Sequence, residues 1–214
     1  MDLFGKNQQM GLKEESMWEN SLTEQRFSWD SPAAAYRLAH ALKAHLLSMS
    51  KNRSFPEVVL LFIGTDRSTG DSLGPLTGTL VSQQIPKNFR IFGTLDQPVH
   101  AANLTEYISR IRTDFPNLPV IAIDACLGKL DNVGSISVGK GSLRPGAGVN
   151  KDLPPVGDLY VTGTVNVGGF MEYFVLQNTR LSLVMQMAEV IARGIIALSP
   201  LIFPKQKTGQ SSRS

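Results

Sequence analysis

Apolar residues along the chain follow two patterns, one continuous and one with helical spacing. Val58-Val59-Leu60-Leu61-Phe62-Ile63 is apolar at every position and stops at Gly64. A run of that kind is buried on both faces, as in the centre of a parallel sheet. Residues 120–123 form a second such run, and residues 89–95 read as a strand between them. Helical spacing precedes the first run, where Tyr36, Ala39, Leu42, Leu46 and Leu47 share a face. Ser31 supplies a capping hydroxyl there, and Pro32 suits the first helical position. The same spacing returns in residues 73–84, and in 104–115 through Leu104, Ile108 and Ile111. A closing helix over 178–198 uses Leu181, Val184, Ala188, Ile191 and Ile195, and Pro200 and Pro204 are expected to end it. Two strand–helix units feeding a third strand imply right-handed crossovers and helices on both faces. Residues 134–138 and 159–165 alternate more loosely and suit antiparallel or edge strands. The predicted fold is an α/β domain, a three-layer α/β/α sandwich with a mostly parallel sheet.

The ends lack such patterning. Residues 1–29 are polar and residues 205–214 are a Lys/Ser/Gln tail, so both are expected to stay loose around a single domain over 30–204. Composition adds a few exclusions. A hydrophobic fraction of 42% supplies one sizeable core. The 21 Lys and Arg exceed 18 Asp and Glu by only three, too few for a nucleic-acid footprint. The single cysteine, Cys126, excludes an internal disulfide and a multi-cysteine metal site, and it fits a reducing compartment. No basic segment followed by an apolar run opens the chain, and the apolar residues 191–203 are interrupted by Arg193, Gly194, Ser199 and Pro200. A cytoplasmic location without membrane or nucleic-acid partners is expected.

Ligands of open parallel sheets bind outside the carboxyl ends of the strands. Two loops lie there: Gly64-Thr65-Asp66-Arg67-Ser68-Thr69-Gly70-Asp71-Ser72-Leu73-Gly74-Pro75, and Asp124-Ala125-Cys126-Leu127-Gly128-Lys129. Asp71 precedes a helix, where it is either an N-cap or a reactive acid. Asp124 ends an apolar strand, where it either ties down the next loop or reacts. Two carboxylates held close cannot both ionise easily, so they share a proton and offer a general base and a general acid together. A phosphate cradle is disfavoured, because Gly70 is followed by Asp71 rather than by the lysine of a P-loop. Cys126 is either a nucleophile served by His100 or a small buried hydrophobe. His100 is the only histidine on a suitable loop, which leaves too few ligands for a transition metal, and no cofactor is expected. Residues 144–158 form either a plain connection or a flap over a groove, and 162–169 either an ordinary strand or an edge to which a peptide adds.

Three motifs carry a family resemblance. Asp71-Ser72-Leu73-Gly74-Pro75 resembles the Asp-x-Leu-Gly-Pro signature of the germination (spore) endopeptidases, Ile123-Asp124-Ala125 their second motif, and Pro145-Gly146-Ala147-Gly148-Val149-Asn150 their Pro-Gly-Ser-Gly-Val-Gly-Asn loop. The match covers roughly residues 57–198, and the chain as a whole resembles the YyaC family of sporulation proteins. The resemblance implies a phosphorylase/hydrolase-like fold shared with the hydrogenase-maturation endopeptidases. In those enzymes the two matching acids grip nickel together with a histidine, but this chain has no histidine after His100. The resemblance therefore implies an acid-type peptidase with Asp71 and Asp124 catalytic and no metal. Asp66 and His100 are expected to assist, with Gly146, Gly148 and Asn150 binding substrate. It further implies a protein or peptide substrate such as spore proteins, a forespore or mother-cell location, a homo-oligomer and a removable segment within residues 1–29. The rival expectation is a catalytically silent peptide-binding protein on the same fold, with a metal-dependent hydrolase as a third.

Overall fold

A computed structural model describes residues 24–50, 55–84, 88–146 and 153–203. The apolar runs form the middle of a six-stranded sheet. Its strands are β1 (Gln25–Ser28), β2 (Val58–Phe62), β3 (Phe89–Phe92), β4 (Val120–Gly128), β5 (Ser135–Lys140) and β6 (Leu159–Val167). Their spatial order is β1-β5-β6-β4-β2-β3. Strands β6, β4, β2 and β3 run parallel, while β5 is antiparallel to both of its neighbours, β6 and β1. The helices are α1 (Ala34–Met49), α2 (Leu73–Ser82), α3 (Leu104–Asp114), α4 (Glu172–Gln177) and α5 (Leu181–Ile202).

Strand alternation divides the core between two faces. Leu60, Phe62, Ile121, Ile123 and Val161 meet Leu38 and Leu42 of α1, Leu73 of α2, and Val184, Met187 and Ile191 of α5. On the other face Val59, Leu61 and Ala122 meet Leu104, Ile108 and Ile111 of α3, joined by Val99 and Val156. All five β2 residues are fully buried. Each such side chain contributes about 1.5–3 kcal/mol, so β2 alone outweighs any surface ion pair in the molecule.

Four sequence expectations change. Residues 159–165 are neither antiparallel to the core nor at an edge, because β6 runs parallel to β4 near the centre of the sheet. Residues 25–28 are not loose: Phe27 is buried in the core and β1 pairs with β5 from Gln25↔Val138 to Ser28↔Ser135. The first helix starts at Ala34 rather than at Pro32, since the Ala34 N–H closes a turn on the Ser31 carbonyl at 2.9 Å. Its inner face is Leu38, Ala41, Leu42 and His45, whereas Tyr36 and Leu47 are exposed and the Tyr36 ring rests on His40. The closing helix passes through Pro200 to Ile202; a proline in the last turn has few remaining hydrogen bonds to remove. By length and composition α5 is apolar enough to cross a membrane, with mean hydropathy 1.7, yet here Val184, Met187, Ile191, Ile195 and Leu198 lie fully buried in the core.

Candidate active site

The site forms where β2 stops and β4 continues. The Ile63 N–H donates to the Ile123 carbonyl at 2.8 Å, the last rung between the two strands, and the Gly64 N–H turns away to the Val99 carbonyl at 2.8 Å. Gly64 adopts φ +139, and a Cβ there would fall 1.9 Å from the Asp71 carbonyl oxygen. Only glycine permits this return of the loop onto its own start. The Thr65 N–H closes it on the Asp71 carbonyl at 3.1 Å. Asp71 then sits in a 3-10 turn, Gly70–Ser72, that feeds directly into α2. Leu73 is fully buried, and a Cβ at Gly74 would lie 2.0 Å from the Ile63 carbonyl oxygen, so α2 is clamped to the end of β2. The Asp-Ser-Leu-Gly-Pro motif thus has a physical basis: one acid, one core anchor and one close approach.

Asp71 lies within the 3-10 turn, one residue before the Ser72 N-cap of α2. Asp124 does not end its strand but is the fifth of nine residues in β4, which runs on to Gly128 because β6 continues to pair with it. Its side chain is almost entirely buried, with the residue 5% exposed, and it accepts the Ala125 N–H at 2.8 Å. Burial pushes the Asp124 carboxyl well above the usual carboxylate range, and the negative charge of Asp71 pushes it the same way; the Ala125 hydrogen bond opposes both. The charge of Asp71 is thus felt by the Asp124 carboxyl at the carboxyl end of β2.

The other expected residues fall at varying removes. His100 follows Val99, which bridges Ile63, and so reaches the same carboxyl edge of the sheet. It is occupied with α3: its N–H donates to Asn103 Oδ1 at 2.8 Å, and its Nδ1 accepts the Ala102 N–H at 3.2 Å. Asp66 is exposed on the outer part of the loop. Gly146, with φ +71, lies in the turn after Leu143. The stems of its loop are anchored at the amino ends of the parallel strands, where Gly141 bonds Asp158, Leu143 bridges Val156, and Asp158 accepts the Val120 N–H. That edge is opposite Asp124. Gly148 and Asn150 lie outside the described residues. The Cys126 thiol, 3.4 Å from Thr164 Oγ1, is pushed up by burial, which favours the neutral thiol over a nucleophilic thiolate. Among the described residues no group of three or more His, Cys, Asp or Glu comes together.

Sequence reasoning missed a polar row beside Asp124. The pairing register runs Arg26↔Ser137↔Thr162↔Asp124 across β1, β5, β6 and β4, and Arg26 Nε donates to Ser137 Oγ at 3.0 Å. Ser135, Ser137, Tyr160, Thr162 and Thr164 do carry a visible period of two. Residues 162–164 cannot accept an added peptide strand, because β6 is already paired on both sides.

Comparison with known proteins places this arrangement in a family. Residues 26–194 match the family model described as protein of unknown function DUF1256. The chain is 54% identical over 157 residues to the uncharacterized protein YyaC of Bacillus subtilis (strain 168), an alignment covering 73% of this chain and 77% of that protein. The chain belongs to the YyaC family. Among solved structures, the [NiFe] hydrogenase maturation protease HycI from Thermococcus kodakarensis KOD1 aligns with a TM-score of 0.47 and 16% identity, over 72% of this chain and 98% of that one. The YyaC-family match opens inside β1 and closes inside α5, so it takes in both Asp71 and Asp124.

Proposed function

We propose that this YyaC-family protein is an endopeptidase in which Asp71 and Asp124 share one proton. The observation that carries the reading is a buried Asp124 carboxyl, held toward its neutral form by burial and by the charge of Asp71. Asp124 would keep the proton and Asp71 the charge. Asp71 takes a proton from water as the water oxygen attacks the peptide carbonyl, and Asp124 gives its proton to the developing oxyanion. As that adduct collapses one of its hydroxyls returns a proton to Asp124, the C–N bond breaks, the amine leaves with the proton held by Asp71, and one shared proton remains on the pair. A peptide is the fitting substrate because, beyond Ile123, β4 pairs with β6 alone among the described strands. Beyond Ala125, whose N–H the Asp124 carboxyl takes, the other edge would pair with an extended backbone. The motif resemblance supports spore proteins as substrates, and a cytoplasmic setting in the forespore or mother cell of a spore former.

The test is cleavage of a proteome-derived peptide library, read by mass spectrometry. Asp71→Asn and Asp124→Asn are each expected to slow cleavage by roughly 10²–10⁴-fold, the range for losing a general acid or base, and a chelator is expected to change nothing. Full cleavage by either variant sinks the reading. A second reading, peptide capture without cleavage, is favoured by exposed aromatic side chains near the site, and it expects both variants to keep most of their affinity for peptides.

A further inference from the structure

Beyond the acid pair, Phe170, Met171, Tyr173 and Phe174 put four large apolar side chains on the surface within five residues, Phe170 being 85% exposed. Clusters of this kind mark binding surfaces more often than isolated exposed side chains do. The backbone holds them there: Met171 adopts φ +51, a left-handed conformation that costs a non-glycine residue energy, and Glu172 accepts the Gly169 N–H at 2.9 Å. The cluster borders a cavity of about 460 Å³. Val167, Phe170, Phe174 and Val175 line it, with Asn166 and Asn178 supplying amides. Lys, Arg and Asp are absent from this lining. An apolar side chain seated there covers the exposed Phe170 and Phe174 rings, which favours it over a small or an acidic one.

Contacts join this cavity to the acid pair. A Cβ on Gly70, next to Asp71, would lie 2.8 Å from Leu176 Cδ2 and 3.0 Å from Thr179 Oγ1, so the α4 end packs on the turn that carries Asp71. Asn166 Nδ2 donates to that same Thr179 Oγ1 at 3.2 Å and to the Val175 carbonyl at 3.4 Å. Asn166 is also the register partner of Leu127, three residues along β4 from Asp124. At about 3.3 Å per strand residue, Leu127 lies roughly 10 Å along β4 from Asp124, the reach of about three residues of an extended peptide, and Asn166 at the cavity is its neighbour across the ladder.

We infer that this cavity is a specificity pocket for one large, uncharged apolar side chain of a substrate peptide, placed within about three residues of the bond to be cut. The inference rests on the peptidase reading for the bond, but not for the pocket itself. Its occupant is a peptide rather than a second copy of the chain because α4, whose Phe174 and Val175 line the pocket, packs on the very turn that carries Asp71.

The test uses the full-length Asp124→Asn protein and fluorescent peptide pools that differ only in one fixed position, Phe, Leu, Ala or Asp, read by anisotropy. The Phe and Leu pools are expected to bind at least ~10-fold more tightly than Ala, with Asp weakest. Adding Val167→Trp, which fills the pocket from a partly exposed position, is expected to erase that preference while thermal melting stays unchanged. Cleavage-site profiles of the unmutated protein form the second arm. Apolar preference in binding without any cleavage supports the pocket and removes the peptidase reading. Cleavage that needs both acids but shows no apolar preference, in binding or in cut sites, keeps the peptidase and overturns the pocket. A dimer that Phe170→Asp and Phe174→Asp dissolve, with no peptide preference, assigns the surface to self-association and overturns the inference as well.

Discussion

A carboxyl group inside a folded protein raises the question of where its proton goes. For Asp124, whose folded pKa is raised, the sign follows directly. At acid pH both folded and unfolded chains hold the proton and nothing is lost. As pH rises through the ordinary carboxylate value the unfolded chain ionises first, so stability falls until the folded value is passed. Asp124→Asn is therefore expected to raise the melting temperature at pH 7, and the gain should vanish near pH 3; a melting series against pH checks it. His45 has the opposite sign. It is fully buried on α1 with neither ring nitrogen hydrogen-bonded, and burial, then the Lys140 charge, lower its pKa. Below the ordinary histidine value the unfolded chain gains a proton that the folded chain refuses, so stability drops as pH falls through 6.5 toward the lowered value. His45→Leu is expected to flatten that limb between about pH 7 and 5, as measured by denaturant unfolding. A loss of stability that does not change with pH in this variant would instead point to packing alone. Both acids were legible in the sequence because each follows a run that is apolar at every position. Asn103 was not, since its bond to the His100 N–H is made by a loop whose course no periodicity reveals.

Among the elements, β2, β4 and α3 declare themselves by pattern, and β6 does not. The reason is its second face. Val161, Gly163 and Val165 lie under α2 and α5, but Tyr160, Thr162 and Thr164 alternate with them on the face away from those helices, so a central strand reads like an edge. The four-residue β1 is too short to show a period, and Phe27 alone carries its burial. Helix contacts were equally hidden. Gly194 of α5 lets α1 come close: a Cβ there would lie 2.7 Å from Leu38 Cδ2 and 3.1 Å from the Ala35 carbonyl oxygen. Helix propensity alone favours replacing this glycine by about 1 kcal/mol or less, whereas overpacking costs about 1–3 kcal/mol. Gly194→Val is accordingly expected to destabilise by about 1–3 kcal/mol in chemical denaturation, and a neutral result would mean that α1 can move aside.

At the scale of the whole molecule, topology makes the site. From β2 the chain passes through α2 on one face to β3, and from β3 through α3 on the other face back to β4 on the far side of β2. The crevice between β2 and β4 is thus a switch point, the usual place for a ligand in an open parallel sheet. Asp71 and Asp124 arrive there from its two sides. The carboxyl edge with its two loops was legible in the sequence, because two βα units in a row admit few arrangements. The apolar surface around α4 and the polar row of Arg26, Ser137 and Thr162 depend on strands paired across long separations, and only the fold reveals them. The chemistry proposed for this site requires that the two acids hold one proton between them. Carbon-13 NMR of the aspartate carboxyls through a pH titration tests this most directly. Asp124 is expected to titrate well above the ordinary carboxylate range and to move down toward it in Asp71→Asn, where burial alone keeps part of the elevation. An Asp124 carboxyl that titrates in the ordinary range, or that ignores the loss of Asp71, would contradict the shared proton and leave two independent structural acids.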